Sequence, residues 1–321
     1  MERIVKGLEG VSKVLDSTSS LLETIENIET DEKQKEDGTQ ELIQRIMDGD
    51  VSQENLERLM QEEKVEVNEE DKMVKFLNQL VKGEGEAIQN LENITSAVGQ
   101  EENQADQKLQ NITNMLSQIE GDGSVSLTVE SLNQVFGESK EAADMILDEA
   151  DEELRESNLM EKLSQELGYT AEEFINSEKL ELEEEQEERE IEEISQRIHN
   201  QQLNDLIHEL EQHTSRDEQQ TEEGRKQLIN LIEEAEATDE ELEAETKHTY
   251  DEAEQLLEVL REIQRLTQNA GMQNQDFQEG FENLMNEVGQ AEDEAQEAAE
   301  NEQEAEQTEE KAEEIAENPP N

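Results

Sequence analysis

Residues 73–119 read MVKFLNQLVKGEGEAIQNLENITSAVGQEENQADQKLQNITNMLSQI, and their spacing decides the fold class. One set of positions is Met73, Leu80, Ala87, Ile94, Glu101, Lys108 and Met115. An interleaved set is Leu77, Glu84, Leu91, Val98, Ala105, Ile112 and Ile119. Apolar residues recurring every three and four positions place a narrow stripe on one side of an α-helix. The misses gather near Gly83–Gly85 and between Gly99 and Lys108, which predicts two helices or one interrupted helix.

The same period extends in both directions. Ile4, Leu8, Val11, Leu15, Leu22 and Ile25 form a seam in which Thr18 fills the one gap. That helix is predicted to end in the polar run Asp31 to Gly38. A short helix with Leu42, Ile43, Ile46 and Met47 follows, then a turn at Asp48-Gly49-Asp50. Ser52 is placed to cap the next helix, with Val51 stapling onto Leu56. Farther on, Ile191, Ile194, Ile198, Leu203, Leu206 and Leu210 resume a seam, and Thr214 to Gly224 reads as a turn. Leu228, Leu231, Ala235, Leu242, Leu256, Val259, Ile263 and Leu266 keep heptad spacing, weakened by Glu245, Thr249 and Glu252. After a break at Asn269-Ala270-Gly271, Phe277, Phe281, Leu284 and Val288 lead into an alanine seam at Ala291, Ala295, Ala298, Ala305, Ala312 and Ala316.

Composition favours long paired helices over a large spherical core. Hydrophobic residues are 31% of the 321 and aromatics 2%, well below an ordinary globular domain. The prolines, Pro319 and Pro320, sit at the very end, so proline chemistry forbids helix nowhere before them. Residues 120–176 read differently, as short capped elements. Thr128 is a candidate N-cap between Leu127 and Leu132, and Gly137 a stop. Thr170-Ala171-Glu172-Glu173 has the form of a capping box with Tyr169 stapled to Phe174. The expected fold is all-α: an elongated helical bundle or coiled coil with a small capped-helix subdomain in its middle. The expected organisation is an N-terminal amphipathic helix over 1–30, a hairpin and heptad-seam helices over 39–119, a compact region over 120–176, a coiled-coil or three-helix rod over 178–316, and a disordered tail over 317–321.

Ninety acids against 25 bases give a net charge of −65. A compact chain with that imbalance repels itself in dilute buffer. Disorder is one outcome; a fold adapted to near-molar salt, where the Debye length falls to about 3 Å, is the other. The sustained seams favour the folded, high-salt reading, and acids spread over the whole chain then describe the solvent.

The function classes this excludes are informative. There are no cysteines, so thiol catalysis, disulfides and cysteine metal sites drop out. No run approaches the roughly 18 apolar residues of a membrane span, and no export signal is legible at the N-terminus, so a cytoplasmic protein is expected. Phosphate-binding glycine loops and serine elbows are absent. Asp122-Gly123-Ser124-Val125-Ser126 and Asp48-Gly49-Asp50-Val51-Ser52 resemble part of a calcium loop, but Gln118 and Val129, and Gln44 and Asn55, stand at its outer ligand positions. Asp205 and Glu245 precede His208 and His248 by three, a spacing that chance supplies freely in so acidic a chain. Asn93-Ile94-Thr95 and Asn111-Ile112-Thr113 match a glycosylation pattern but carry their isoleucines on the seam. No catalytic, cofactor-binding or metal-ligating residue is assigned, and no cofactor is expected.

The chain is less acidic in three places: 1–22, 72–82 and 255–268. These predict contact faces, with Ile4, Leu8, Val11, Leu15, Leu22, Ile25, Met73, Phe76, Leu77 and Leu80 as candidate interaction residues. The expected partner is protein, either a second copy or another helical protein. Nucleic acid is excluded by the acidic surface, and membrane docking is disfavoured because the first helix lacks a strongly basic face. The sequence therefore points to a non-enzymatic structural or scaffold protein adapted to high salt. The alternative is an acidic regulator or chaperone that sequesters a basic partner.

Overall fold

A computed structural model describes residues 2–121, 129–269 and 275–317. Among them the fold is all-α, with five helices and no strand: α1 (Glu2–Met47), α2 (Gln53–Gly121), α3 (Val129–Ile198), α4 (Gln201–Asn269) and α5 (Gln275–Glu317). Two compact units share these helices. One unit takes residues 1–12, 88–162 and 235–307; the other takes 13–87, 163–234 and 308–321.

In the first unit, α2 and α3 run antiparallel: Thr95 meets Glu156, and farther along α2 Lys108 meets Glu138 at 2.8 Å. Its apolar core joins Leu109, Ile112 and Leu116 of α2, Ala142, Ala143 and Ile146 of α3, Leu256, Leu260 and Ile263 of α4, and Phe281, Leu284 and Val288 of α5. In the second unit, α1 is the added helix. A cluster built on Leu42, Ile43 and Ile46 of α1, Leu56 and Leu59 of α2, Ile191 and Ile194 of α3, and Leu203 and Leu206 of α4 closes around the two hairpin turns.

The first of those turns matches its sequence reading. α1 stops at Met47, Gly49 takes φ +112°, and the Ser52 hydroxyl accepts a hydrogen bond from the Asn55 amide at 3.2 Å. Val51 is 42% exposed. The second turn was not anticipated. α3 ends at Ile198, His199 adopts φ 55°, and the Asn200 side chain accepts from the Gln202 amide at 2.9 Å. Ser195 also donates to the Asn204 side chain at 2.5 Å across the turn. Its signature in the sequence was faint: a five-residue step from Ile198 to Leu203 and an asparagine able to cap.

Several predicted breaks are helix. α1 continues through 31–38 to Met47, and α2 passes Gly83, Gly85 and Gly99 without interruption. Residues 129–198 form one helix, so no set of short capped elements occupies the described part of 120–176. Thr170 to Glu173 lies within α3, where Tyr169 is 57% exposed while Phe174 is fully buried. The proposed turn at Thr214–Gly224 lies inside α4, and the reversal comes instead at His199 and Asn200. The candidate cap Thr128 and the turn Asp122–Ser126 lie outside the described residues.

Glycine explains two of these differences. A Cβ on Gly83 would sit 2.6 Å from the Thr18 methyl, and one on Gly224 would sit 2.9 Å from two ring carbons of Phe174. In a helix interior glycine costs about 1 kcal/mol against alanine. Here that cost is offset by the close approach it permits, so the residue marks a contact rather than a break.

Candidate functional site

The predicted interaction residues are core positions. Val11, Leu15, Ile25, Met73, Leu77 and Leu80 are fully buried; Ile4, Leu8 and Leu22 are nearly so, and Phe76 is half-buried. The chain's own helices cover them, so as surfaces for a separate partner these residues are already occupied. The bases of the less acidic segments face outward and pair locally, as Lys75 does with Asp71 at 3.4 Å and Lys82 with Glu86 at 3.6 Å.

The unusual chemistry lies inside. At the gaps of the apolar seams, glutamates and hydroxyl residues are buried and face each other across helices. Thr18 and Ser19 of α1 donate to the Glu166 carboxylate of α3. Thr170 of α3 donates to Glu84 of α2 at 2.5 Å, and Thr39 of α1 to Glu66 of α2 at 2.6 Å. Ser164 of α3 donates to Glu309 of α5, and Thr221 of α4 to Glu181 of α3, both at 2.6 Å. In the other unit, Thr95 of α2 donates to Glu156 of α3. There Thr246 donates to Glu302 of α5, and Thr249 to Glu153 of α3, both at 2.6 Å. Glu84, Glu153 and Glu309 are fully buried.

Periodicity puts them there. Thr18 lies between Val11 and Ile25, Glu84 between Leu77 and Leu91, and Thr249 between Leu242 and Leu256, each at a heptad step. Glu302 and Glu309 fill the steps between Ala295 and Ala316. The seams therefore run unbroken, with polar members at chosen levels. A carboxyl group at such a level finds its partner in one alignment of the two helices and meets only apolar side chains in others. Burying a polar group without a partner costs about 1–3 kcal/mol, so these pairs select register, as a single polar core residue does in paired helices.

Burial also changes their acidity. Desolvation lifts Glu84 and Glu156 from 4.5 to about 8, against the lowering effect of the hydroxyls bonded to them. Glu302 and Glu181 rise to about 7 for the same reason. At neutral pH Glu84 and Glu156 are held mostly as neutral carboxyl.

Removing one partner separates these roles. Thr249→Val leaves Glu153 without its hydroxyl donor and is expected to lower stability by about 1–3 kcal/mol. Adding Glu153→Leu is expected to restore most of the loss, because an apolar pair needs no partner. Urea denaturation of the single and double variants checks this; a double variant no more stable than Thr249→Val overturns it.

Three clusters of ligand-type side chains occur among the described residues: Asp71, His213 and Asp217; Asp106, His248 and Glu252; and Glu63, Glu66 and Glu187. In the first, Arg216 bonds both Asp71 and Asp217 and supplies the positive charge. In the second, His248 lies 3.8 Å from Asp106 and 3.6 Å from Glu252. A groove of about 210 Å³ is lined by Glu178, Glu181, Glu185, Glu218, Glu222 and Arg225, among others. Arg225 is held there by Glu178 at 2.9 Å and by the Ala316 carbonyl. Such a volume is below the roughly 300 Å³ of small-molecule pockets.

No family model matches the chain, and no curated protein matches it. Among solved structures, a computationally designed self-assembling cyclic homooligomer is similar at 11% identity and a TM-score of 0.20, covering 89% of this chain and 98% of that one. A de novo designed helical repeat protein is similar at 12% identity and a TM-score of 0.16, covering 88% and 99%. TM-scores this low fall below those of chains that share a fold. Among the described residues, no helix is long and apolar enough to cross a membrane.

Proposed function

We propose that this chain is a non-enzymatic helical scaffold protein adapted to high salt, acting through helix pairing and presenting its outer surface to protein partners, a second copy among them. The observation that carries the reading is the use made of the buried acids. Glu84, Glu153, Glu156, Glu166, Glu302 and Glu309 face hydroxyls of neighbouring helices rather than a cavity. In this reading they hold helices in register.

The remaining acids are mostly exposed, and many of the bases pair with an acid one turn away on their own helix, as in Arg58–Glu62 and Arg189–Glu185. Pairs of that kind contribute about 0.3–0.5 kcal/mol each, too little to offset a net charge of −65. Screening by salt is what the surface requires. Helicity measured by circular dichroism is therefore expected to fall on dialysis into dilute buffer and to return in molar potassium chloride. Constant helicity across that range would remove the high-salt part of the reading.

The groove with Glu178, Glu181, Glu185, Glu218 and Glu222 favours a second reading, an acidic regulator that holds a basic partner. A pull-down at native ionic strength separates the two. Recovery of the chain itself or of acidic helical proteins supports the scaffold, and recovery of basic proteins supports the regulator.

A further inference from the structure

We propose that Glu63, Glu66 and Glu187 form a buried site for a hard divalent cation of calcium size. Glu63 and Glu66 lie three residues apart on α2 and so share a face; Glu187 comes from α3. One carboxylate oxygen from each lies within 4.8 Å of the others. The three residues are 3%, 6% and 4% exposed.

Convergent acids alone would not make a site. The second observation is Glu63 itself. Its Oε1 is sealed from solvent and has no hydrogen-bond partner. Several interior glutamates face a serine or threonine, as Glu84 and Glu153 do; Glu63 faces two more carboxylates. Glu66 is oriented by the Thr39 hydroxyl at 2.6 Å, the way outer-shell donors fix a ligand. Lys35, the nearby base that acts on Glu66, is bonded to Glu69. Leu59 and Val67, one turn to either side of Glu63, and Ile191, one turn beyond Glu187, are buried.

The donor set chooses the ion. All three donors are carboxylate oxygens, which suit hard cations and not zinc or copper. Calcium bonds oxygen at about 2.4 Å, so two oxygens opposite each other across the ion stand about 4.8 Å apart. Three carboxylates, each binding through both oxygens, supply six contacts, the low end of what calcium takes. Magnesium holds its waters tightly, and the apolar neighbours Leu59, Val67 and Ile191 offer those waters no polar side chain.

The test uses the full chain, calcium chloride and molar potassium chloride, which screens diffuse binding to the surface acids. Equilibrium dialysis is expected to show saturable uptake of one calcium per chain. Glu63→Gln and Glu187→Gln are each expected to weaken it by at least about tenfold, while Glu240→Gln, on the exposed side of α4, leaves it unchanged. Both site variants replace a buried carboxyl by an amide of nearly the same shape and should keep the fold, which circular dichroism verifies. Saturable binding lost in the site variants supports the proposal. Absence of saturable binding in the native chain, or equal binding by the site variants, overturns it and leaves the scaffold reading untouched.

Discussion

In molar potassium chloride, raising the pH from about 5 to about 9 is expected to lower the melting temperature by on the order of 10 °C. The sign follows from the direction of the shifts. Glu84, Glu156 and Glu302 have folded-state values of about 8, 8 and 7, against an ordinary value of 4.5. Below the ordinary value both folded and unfolded chains hold these protons, and the stability is fully present. As pH rises, the unfolded chain ionises first while the fold still holds its protons, so stability falls through the window from about 4.5 to about 8. High salt matters to the design because it suppresses surface repulsion, which would act in the same direction, and leaves the buried groups little changed.

Glu84→Gln assigns the effect to a residue. The amide carbonyl still accepts from Thr170, but the group no longer ionises. The variant should match the native chain near pH 5 and exceed its stability near pH 9 by roughly 2–4 kcal/mol. A melting temperature independent of pH in high salt, or a Glu84→Gln variant as pH-sensitive as the native chain, would show that burial does not hold these protons.

Phe174→Ala is expected to cost about 3–5 kcal/mol, because its side chain is the largest of the fully buried ones among the described residues. Its ring is fully buried and lies against Gly224 of α4, where a Cβ would approach within 2.9 Å of the ring and 3.0 Å of the Asn78 side-chain oxygen. Gly224→Ala alone should therefore destabilise, although alanine is the better helix former. Gly10→Ala and Gly289→Ala, where nothing lies within 4 Å of the added carbon, should each stabilise by about 0.5–1 kcal/mol. The informative comparison is the double variant. In a Phe174→Ala background only the Asn78 side-chain oxygen at 3.0 Å still crowds the added carbon, and the loss from Gly224→Ala should shrink, a coupling that urea midpoints measure. A Gly224→Ala effect that is the same in both backgrounds would mean the ring does not dictate the glycine.

The buried pairs were half visible before the structure. Thr18, Glu84, Thr249 and Glu252 stand out in the sequence as faults in otherwise apolar seams. What could not be read was that the fault on one helix faces its complement on another. Thr18 meets Glu166 across 148 positions of sequence, and Ser164 meets Glu309 across 145. Nothing local to Glu84 names Thr170 as its donor. The same holds for Glu63, Glu66 and Glu187, where spacing shows two acids on one face but not the third from another helix.

The sequence by itself determined the secondary structure class. An apolar stripe every three to four residues, no proline before Pro319 and a −65 charge leave little besides long, well-solvated helices. It also placed the hairpin turn at Gly49, because a φ of +112° strongly favours a residue without a side chain. Tertiary structure alone decided which weak points are turns and which are contacts. Gly83, Gly224 and the Thr170 segment carry local signals of a break worth about 1 kcal/mol each. Packing against Thr18, Phe174 and Glu84 outweighs them, and those partners lie on other helices.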